Sequence, residues 1–314
     1  AIGSAGKTMF SALRLPLTGP NKIDGRSIVL HAKDSGAPRV GCATIMAAVP
    51  RSVTAFFAQD SSSSVNGTIT FTQASPDAAT TITVNLAGLE TTPNKWHIHN
   101  FPVDGACTST GGHFDPFGVE KPTYSTCTGD AAAKAVGCYV GDLSGKFGAL
   151  GASASATYTD SSVSLFGANS IQGRGIVIHK TDGSRWACAT IGYARAVKTV
   201  VAAFTSKIVG SVVMKQLADD ALSETQVLVD LKYADAATAD TAGHKIHVHV
   251  DPVTSDCASA GGHFDPWGQE TPVNEYAAKC VGSDAAKSFS CYLGDLSARH
   301  ALVAIGSAGK TMFS

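Results

Sequence analysis

The chain repeats itself, but out of phase with its own ends. Residues 105–118, GACTSTGGHFDPFG, match residues 255–268, SDCASAGGHFDPWG, and His97-Ile98-His99 matches His247-Val248-His249, 150 residues further on. CYVGDLS at 138–144 returns as CYLGDLS at 291–297. The next block breaks the order. GIVIH at 175–179, followed by CATI at 188–191, has its partner near the N-terminus, as SIVLH at 27–31 followed by CATI at 42–45. A chain of this kind holds one whole unit A (51–199), the first part of a unit B (200–314) and the last part of a B-type unit (1–50). Residues 1–11, AIGSAGKTMFS, are identical to residues 304–314, a spacing of 303 residues. This reads as slightly more than one period of a repeating polymer, with a duplicated chain end as the simpler alternative.

Within each unit the periodicity is that of strands. Residues 68–72 (TITFT) and 81–86 (TITVNL) alternate polar and apolar side chains, as half-buried antiparallel strands do. Asn66-Gly67 reads as a tight turn just before the first, and residues 162–167 and 175–179 continue the strand pattern. No helical stripe is sustained. The expected fold class is all-β: two Greek-key sandwiches or barrels, the second split between the chain ends. Its 314 residues suit about two domains, and 44% hydrophobic residues suffice for packed cores. Lys plus Arg at 24 against Asp plus Glu at 25 gives no broad pull toward nucleic acid or an anionic membrane. No apolar run approaches the ~20 residues of a membrane helix, so neither nucleic acid nor membrane is an expected partner. Ala1-Ile2-Gly3-Ser4 lacks the basic and apolar start of a secretion signal, which is still compatible with a mature secreted product.

Eight of the ten histidines fall into two matching sets: His97, His99, His113 and His179, and His247, His249, His263 and His31. Residues two apart on a strand point to the same side, so a His-x-His pair aims two imidazoles at one point. An all-imidazole set suits copper(II) among the borderline metals. One such pair alone would be read as ordinary strand histidines; two independent sets favour metal. His244 and His300 have no counterpart in the other unit and are read as structural.

On these motifs, with Trp96, Gly141-Asp142-Leu143 and Ile176-Val177-Ile178-His179, residues 67–193 resemble a copper–zinc superoxide dismutase domain. Unit B resembles another once its two pieces are joined. The resemblance implies the sandwich fold, a known example of that architecture. It also implies copper held by the four histidines of each set, and dismutation of superoxide to dioxygen and hydrogen peroxide. Arg185 and Arg39 then guide the anion, and disulfides join Cys107–Cys188, Cys127–Cys138, Cys280–Cys291 and Cys42–Cys257. The departures are as informative. Phe114 to Asp142 and Phe264 to Asp295 contain no histidine, Tyr139 and Tyr292 stand where a zinc ligand would, and only Asp142 and Asp295 remain. A lone aspartate does not make a four-coordinate zinc site. This loss, with a short loop before Arg185, resembles copper-only extracellular dismutases and copper-only repeat proteins. About one copper per domain and no zinc are therefore expected. The disulfides indicate an extracellular setting, and Asn66-Gly67-Thr68 is a glycosylation sequon. Because His31, Arg39 and Cys42 lie at the far end from the rest of unit B, neighbouring copies are expected to complete one another head-to-tail in a fibre. The alternative is a structural filament that reuses the fold with copper incidental or absent; copper storage is a third possibility.

Overall fold

The structure is a computed structural model that describes residues 15–31 (except 18), 33, 38–45, 49–58, 63–91, 93–119, 127–221, 223–269, 273–281, 287, 290–300, 302–306 and 309–313. The N-terminal copy of the duplicated segment lies outside the described residues. The architecture is all-β. By contacts the chain divides into two compact units, one of Ala48–Val201, Val213–Leu228 and Met312–Ser314, the other of Ala1–Ala47, Ala202–Val212 and Val229–Thr311. In chain order the strands are β1 (Ser27–His31), β2 (Arg39–Thr44), β3 (Arg51–Phe57), β4 (Asn66–Gln73), β5 (Thr80–Ala87), β6 (Trp96–His99), β7 (Ala154–Asp160) and β8 (Gly175–His179). They continue with β9 (Arg185–Thr190), β10 (Val197–Thr205), β11 (Ile208–Leu217), β12 (Gln226–Tyr233), β13 (Thr241–His244), β14 (Val303–Ile305) and β15 (Thr311–Phe313).

Unit A is built of two sheets, in the orders β3-β4-β5-β7 and β6-β8-β9. In β5 the side chains alternate strictly, with Thr80, Ile82, Val84 and Leu86 buried and the residues between them exposed. A one-residue slip against β4 would turn all four outward, which fixes the register. Ile82, Val84 and Leu86 meet Trp96 and Ile98 of β6 and Ile176 and Ile178 of β8 in a single core. With Trp96 and Ile98 committed to the core, alternation turns His97 and His99 to the other face of their sheet. Two short helices lie in the long connection after β6: α1 (Ala131–Gly137), capped by the Asp130 carboxylate accepting from the Ala133 N–H at 2.9 Å, and α2 (Leu143–Phe147), capped by Asp142 accepting from Gly145 at 2.7 Å.

Two local expectations fail. Asn66-Gly67 is not a tight turn but the start of β4, paired with Ala87 and Leu86. Gly67 has φ +119°, and a Cβ there would lie 2.1 Å from the Asn85 carbonyl oxygen, so the glycine serves a close approach of strands. Gly210 stands against Asp230 in the same way, with φ +121°. Residues 162–167 form no strand; the Asp160 carboxylate accepts from the N–H groups of Ser162 and Val163, and Gln73 Oε1 accepts from that of Leu165. Side chains supply what a ladder would have supplied.

The second repeat has the matching sheet β10-β11-β12-β15, in which the C-terminal copy of the duplicated segment, β15, takes the place that β7 has in unit A. Two further helices, α3 (Val273–Lys279) and α4 (Leu296–Arg299), follow the pattern of α1 and α2. The second sheet differs. The hairpin β1–β2 reproduces β8–β9 pair for pair, from Ser27 opposite Thr44 to His31 opposite Arg39, with the same irregularity after the fourth pair. Yet among the described residues β1–β2 is a sheet of two strands, whereas β8–β9 is joined by β6. Ile28 and Leu30 are 58% and 43% exposed; their counterparts Ile176 and Ile178 are fully buried. Val200, Val201 and Phe204 of β10 are likewise exposed, while β3 alternates buried and open residues.

Candidate metal centre

In unit A three segments bring four imidazoles together. His97 and His99 come from β6, and His179 ends the neighbouring strand β8. His113 arrives on the loop that pairs with His99 and is secured where Phe114 N–H donates to Ile98 O at 2.8 Å. Gly141 N–H donates to Phe114 O at 2.9 Å, and Ile98 N–H donates to Gly141 O at 2.9 Å, closing a three-strand cradle. A Cβ on Gly141 would lie 2.4 Å from the Ile98 carbonyl oxygen, so the glycine of Gly-Asp-Leu is a packing requirement. One ring nitrogen of each of the four histidines lies within 4.8 Å of the others.

Each ring is held from behind by its other nitrogen. His99 Nδ1 is 2.9 Å from Gly111 O, His179 Nδ1 is 3.0 Å from Gly183 O, His113 Nδ1 is 3.1 Å from the Tyr139 hydroxyl, and His97 Nε2 is 3.5 Å from Asp142 Oδ1. On the inner side, His97 Nδ1, His99 Nε2 and His179 Nε2 are buried with no hydrogen-bond partner among the described residues. A buried nitrogen without a partner costs about 1–3 kcal/mol, and three converging on one point fit a metal ion. Burial pushes His99 down to about 3 and His179 to about 4, and lowers His97 against the raising effect of Asp142. These imidazoles are therefore neutral at physiological pH and keep the lone pairs that ligation needs. Four nitrogen donors with no thiolate suit copper.

Arg185, on β9 opposite His179, donates to Cys107 O at 2.9 Å, Thr110 Oγ1 at 3.0 Å and Gly111 O at 2.5 Å. The Gly111 carbonyl thus receives both the guanidinium and His99, which places the cation one peptide group from the cluster. The Cys107–Cys188 disulfide ties the segment carrying these carbonyls to β9.

The second repeat rebuilds most of this centre. Ring centroids of His247 and His263 are 4.6 Å apart, and of His249 and His263 5.1 Å, against 4.4 and 4.9 Å for the counterparts in unit A. The cradle recurs through Phe264, Val248 and Gly294, and His247 Nε2 is 3.4 Å from Asp295. Among the described residues three histidines gather here, His247, His249 and His263. His31 and Arg39 remain on the β1–β2 hairpin outside the cluster, and Cys42 and Cys257 are exposed and unbonded. Cys127–Cys138 and Cys280–Cys291 are joined. Asn66 is exposed, as an acceptor asparagine would be. The residues that motif reading missed are Tyr276, whose hydroxyl donates to Asp295 at 2.6 Å, and Lys146, buried against Asp160 at 2.8 Å. Neither stands in a motif or at a repeat-matched histidine, so no sequence signal marked them.

The copper/zinc superoxide dismutase (SODC) family pattern matches residues 65–191. The copper–zinc superoxide dismutase of Schizosaccharomyces pombe is 35% identical over 151 residues, 42% of this chain and 92% of that protein. The chain belongs to the copper/zinc superoxide dismutase family. Among its relatives within the family, the cell-surface copper-only superoxide dismutase 5 of Candida albicans is 36% identical over 148 residues, 45% of this chain and 60% of that protein. A solved copper(II) form of the Candida protein, 36% identical, covers 46% of this chain and 93% of that one, with a TM-score of 0.40. Beside this cluster stand Tyr139, against His113, and Asp142, against His97.

Proposed function

We propose that this chain is an extracellular, copper-only superoxide dismutase built as a tandem repeat, about one copper and no zinc to each completed domain. The observation that carries it is the convergence of three buried, unpartnered imidazole nitrogens and His113 in unit A. Bound copper would supply the one-electron couple that oxidises one superoxide to dioxygen and reduces a second to hydrogen peroxide. The chain's own residues do the rest. His97, His99, His113 and His179 hold the ion, with each ring's orientation fixed from behind. Arg185 draws the anion in, its charge held beside the cluster by three backbone and side-chain acceptors. A copper-loaded protein that fails to consume superoxide, or one with stoichiometric zinc by elemental analysis, would overturn this reading. The disulfides fit an oxidising compartment, and the Candida relative is named as a cell-surface protein.

The same reading gives the second repeat's missing pieces a source. The β1–β2 hairpin is formed in the register of β8–β9 but exposes the face that β8 buries, and the three-histidine cluster lacks the one histidine that hairpin carries. A second copy donating Ser27–Thr44 to the cluster of the first would bring His31 to His247, His249 and His263, Arg39 beside it, and Cys42 to Cys257. Such a contact is head-to-tail and does not close, so it propagates into a fibre. These exposed apolar faces also favour a structural filament in which copper is incidental. Metal-free protein that forms the same fibres and shows no superoxide consumption when loaded would select that alternative.

A further inference from the structure

The copper-centre reading leaves one ligand with an unusual support. His99 and His179 rest on backbone carbonyls and His97 faces a carboxylate, but His113 rests on a phenol. We propose that Tyr139 is a positioning residue for His113, and Tyr292 for His263: the Tyr139 oxygen accepts a hydrogen bond from His113 Nδ1–H and so presents Nε2 to copper. The proposal rests on that reading of the centre.

Three observations carry it. The Tyr139 hydroxyl lies 3.1 Å from His113 Nδ1, and the two rings stack with centroids 5.2 Å apart and planes 10° from parallel. The stack blocks rotation of the imidazole while the oxygen selects its tautomer, because a neutral ring that ligates through Nε2 must carry its proton on Nδ1. Second, both partners sit on fixed backbone. Tyr139 is 3% exposed, its neighbour Cys138 is bound to Cys127, and Gly141 two residues on is strapped to Phe114, the residue after His113. Third, the arrangement is repeated: His263 and Tyr292 stack at 5.1 Å and 11°, next to the Cys280–Cys291 disulfide and the Gly294–Phe264 strap. It forms there although His31 is not in the cluster, so it does not depend on a fourth ligand. A neutral phenol can orient the ring without adding charge beside the ligand.

The test compares the intact chain with Tyr139→Phe, which keeps the stack and removes only the oxygen. In the copper-free protein, two-bond nitrogen–proton correlations report which ring nitrogen of His113 is protonated, the signal being assigned by its loss in His113→Gln. The expected result is an Nδ1–H ring in the parent and a shift to Nε2–H in Tyr139→Phe. After loading with copper(II) alone, the variant's electron paramagnetic resonance spectrum should change and copper affinity at unit A should fall about 10- to 100-fold, the usual effect of losing such a partner. The melting temperature of the copper-free variant serves as control for folding. If Tyr139→Phe is misfolded, Tyr292→Phe read at His263 decides by the same criterion. An unchanged tautomer with an unchanged spectrum overturns the proposal. Failure of the parent to take up copper overturns the reading of the centre instead, while the tautomer measurement still judges Tyr139.

Discussion

The geometry around Arg185 and the three buried imidazoles makes two residue-level outcomes measurable. Arg185 contributes a positive charge one peptide group from His99, through the shared Gly111 carbonyl. Arg185→Gln should lower the superoxide rate roughly tenfold and flatten its dependence on ionic strength, since steering fades with screening. Stopped-flow decay of superoxide at several salt concentrations checks this, with copper content unchanged. The second outcome concerns acid. His99 and His179 lie at about 3 and about 4 in the folded protein, below the ordinary 6.5, because burial penalises their charged forms. The unfolded chain binds the protons first, so metal-free protein should be fully stable above about pH 6.5 and lose stability as the pH falls toward 3. The loss is up to ~1.4 kcal/mol per pH unit per histidine. Urea titrations of copper-free protein across pH 7 to 4 test the sign; a stability that rises on acidification would contradict the burial of these rings.

At the scale of elements, the β1–β2 hairpin shows what a repeat can and cannot specify on its own. Its pairing is local and is written in its sequence, so it forms in the register of β8–β9. Its burial is not local: Ile28 and Leu30 need the partner that β6 and the opposite sheet give to Ile176 and Ile178. Covering them would contribute about 1.5–3 kcal/mol each. Replacing both by lysine should therefore abolish association between copies, seen by analytical ultracentrifugation, while unit A keeps its copper and its melting transition. The same distinction explains how far the sequence was legible. The His-x-His pairs could be placed because a strand's period of two dictates their direction, and Trp96 and Ile98 between them dictate the core side. Asn66-Gly67 was misread because the dipeptide signals positive φ, and a crossing with the Asn85 carbonyl demands this as well as a turn does. Residues 162–167 alternate like a strand, yet Asp160 and Gln73 capture their N–H groups first. The ion pair of Arg51 with Glu224 joins residues 173 positions apart, and neither flanking sequence announces it.

Among the described residues of the whole molecule, four histidines gather in unit A and three in the second repeat. A discrete copy should accordingly bind one copper tightly and a second far more weakly, and assembly should convert the weak site to a tight one. Copper titrations of dispersed and assembled material, read beside peptide maps for the Cys42–Cys257 crosslink, test this. Two equally tight sites in a discrete copy would contradict it, as would a crosslink closed within one chain. Reduction of the assembled material then separates two forms of polymer: length that survives belongs to a continuous polypeptide, and length that is lost belongs to exchanged hairpins.

The unmatched hairpin also gives such an assembly a built-in ruler. In a linear array that grows by hairpin donation, every internal junction yields a four-histidine centre. One terminus alone keeps a bare triad, and the other a hairpin that joins no triad. The proportion of three-nitrogen to four-nitrogen copper signals in a spectrum is then an end-group count, from which the mean number of copies per fibre follows without imaging it. Breakage raises the proportion and annealing lowers it, so mechanical damage to the material would be readable as a change in the colour and magnetism of its metal.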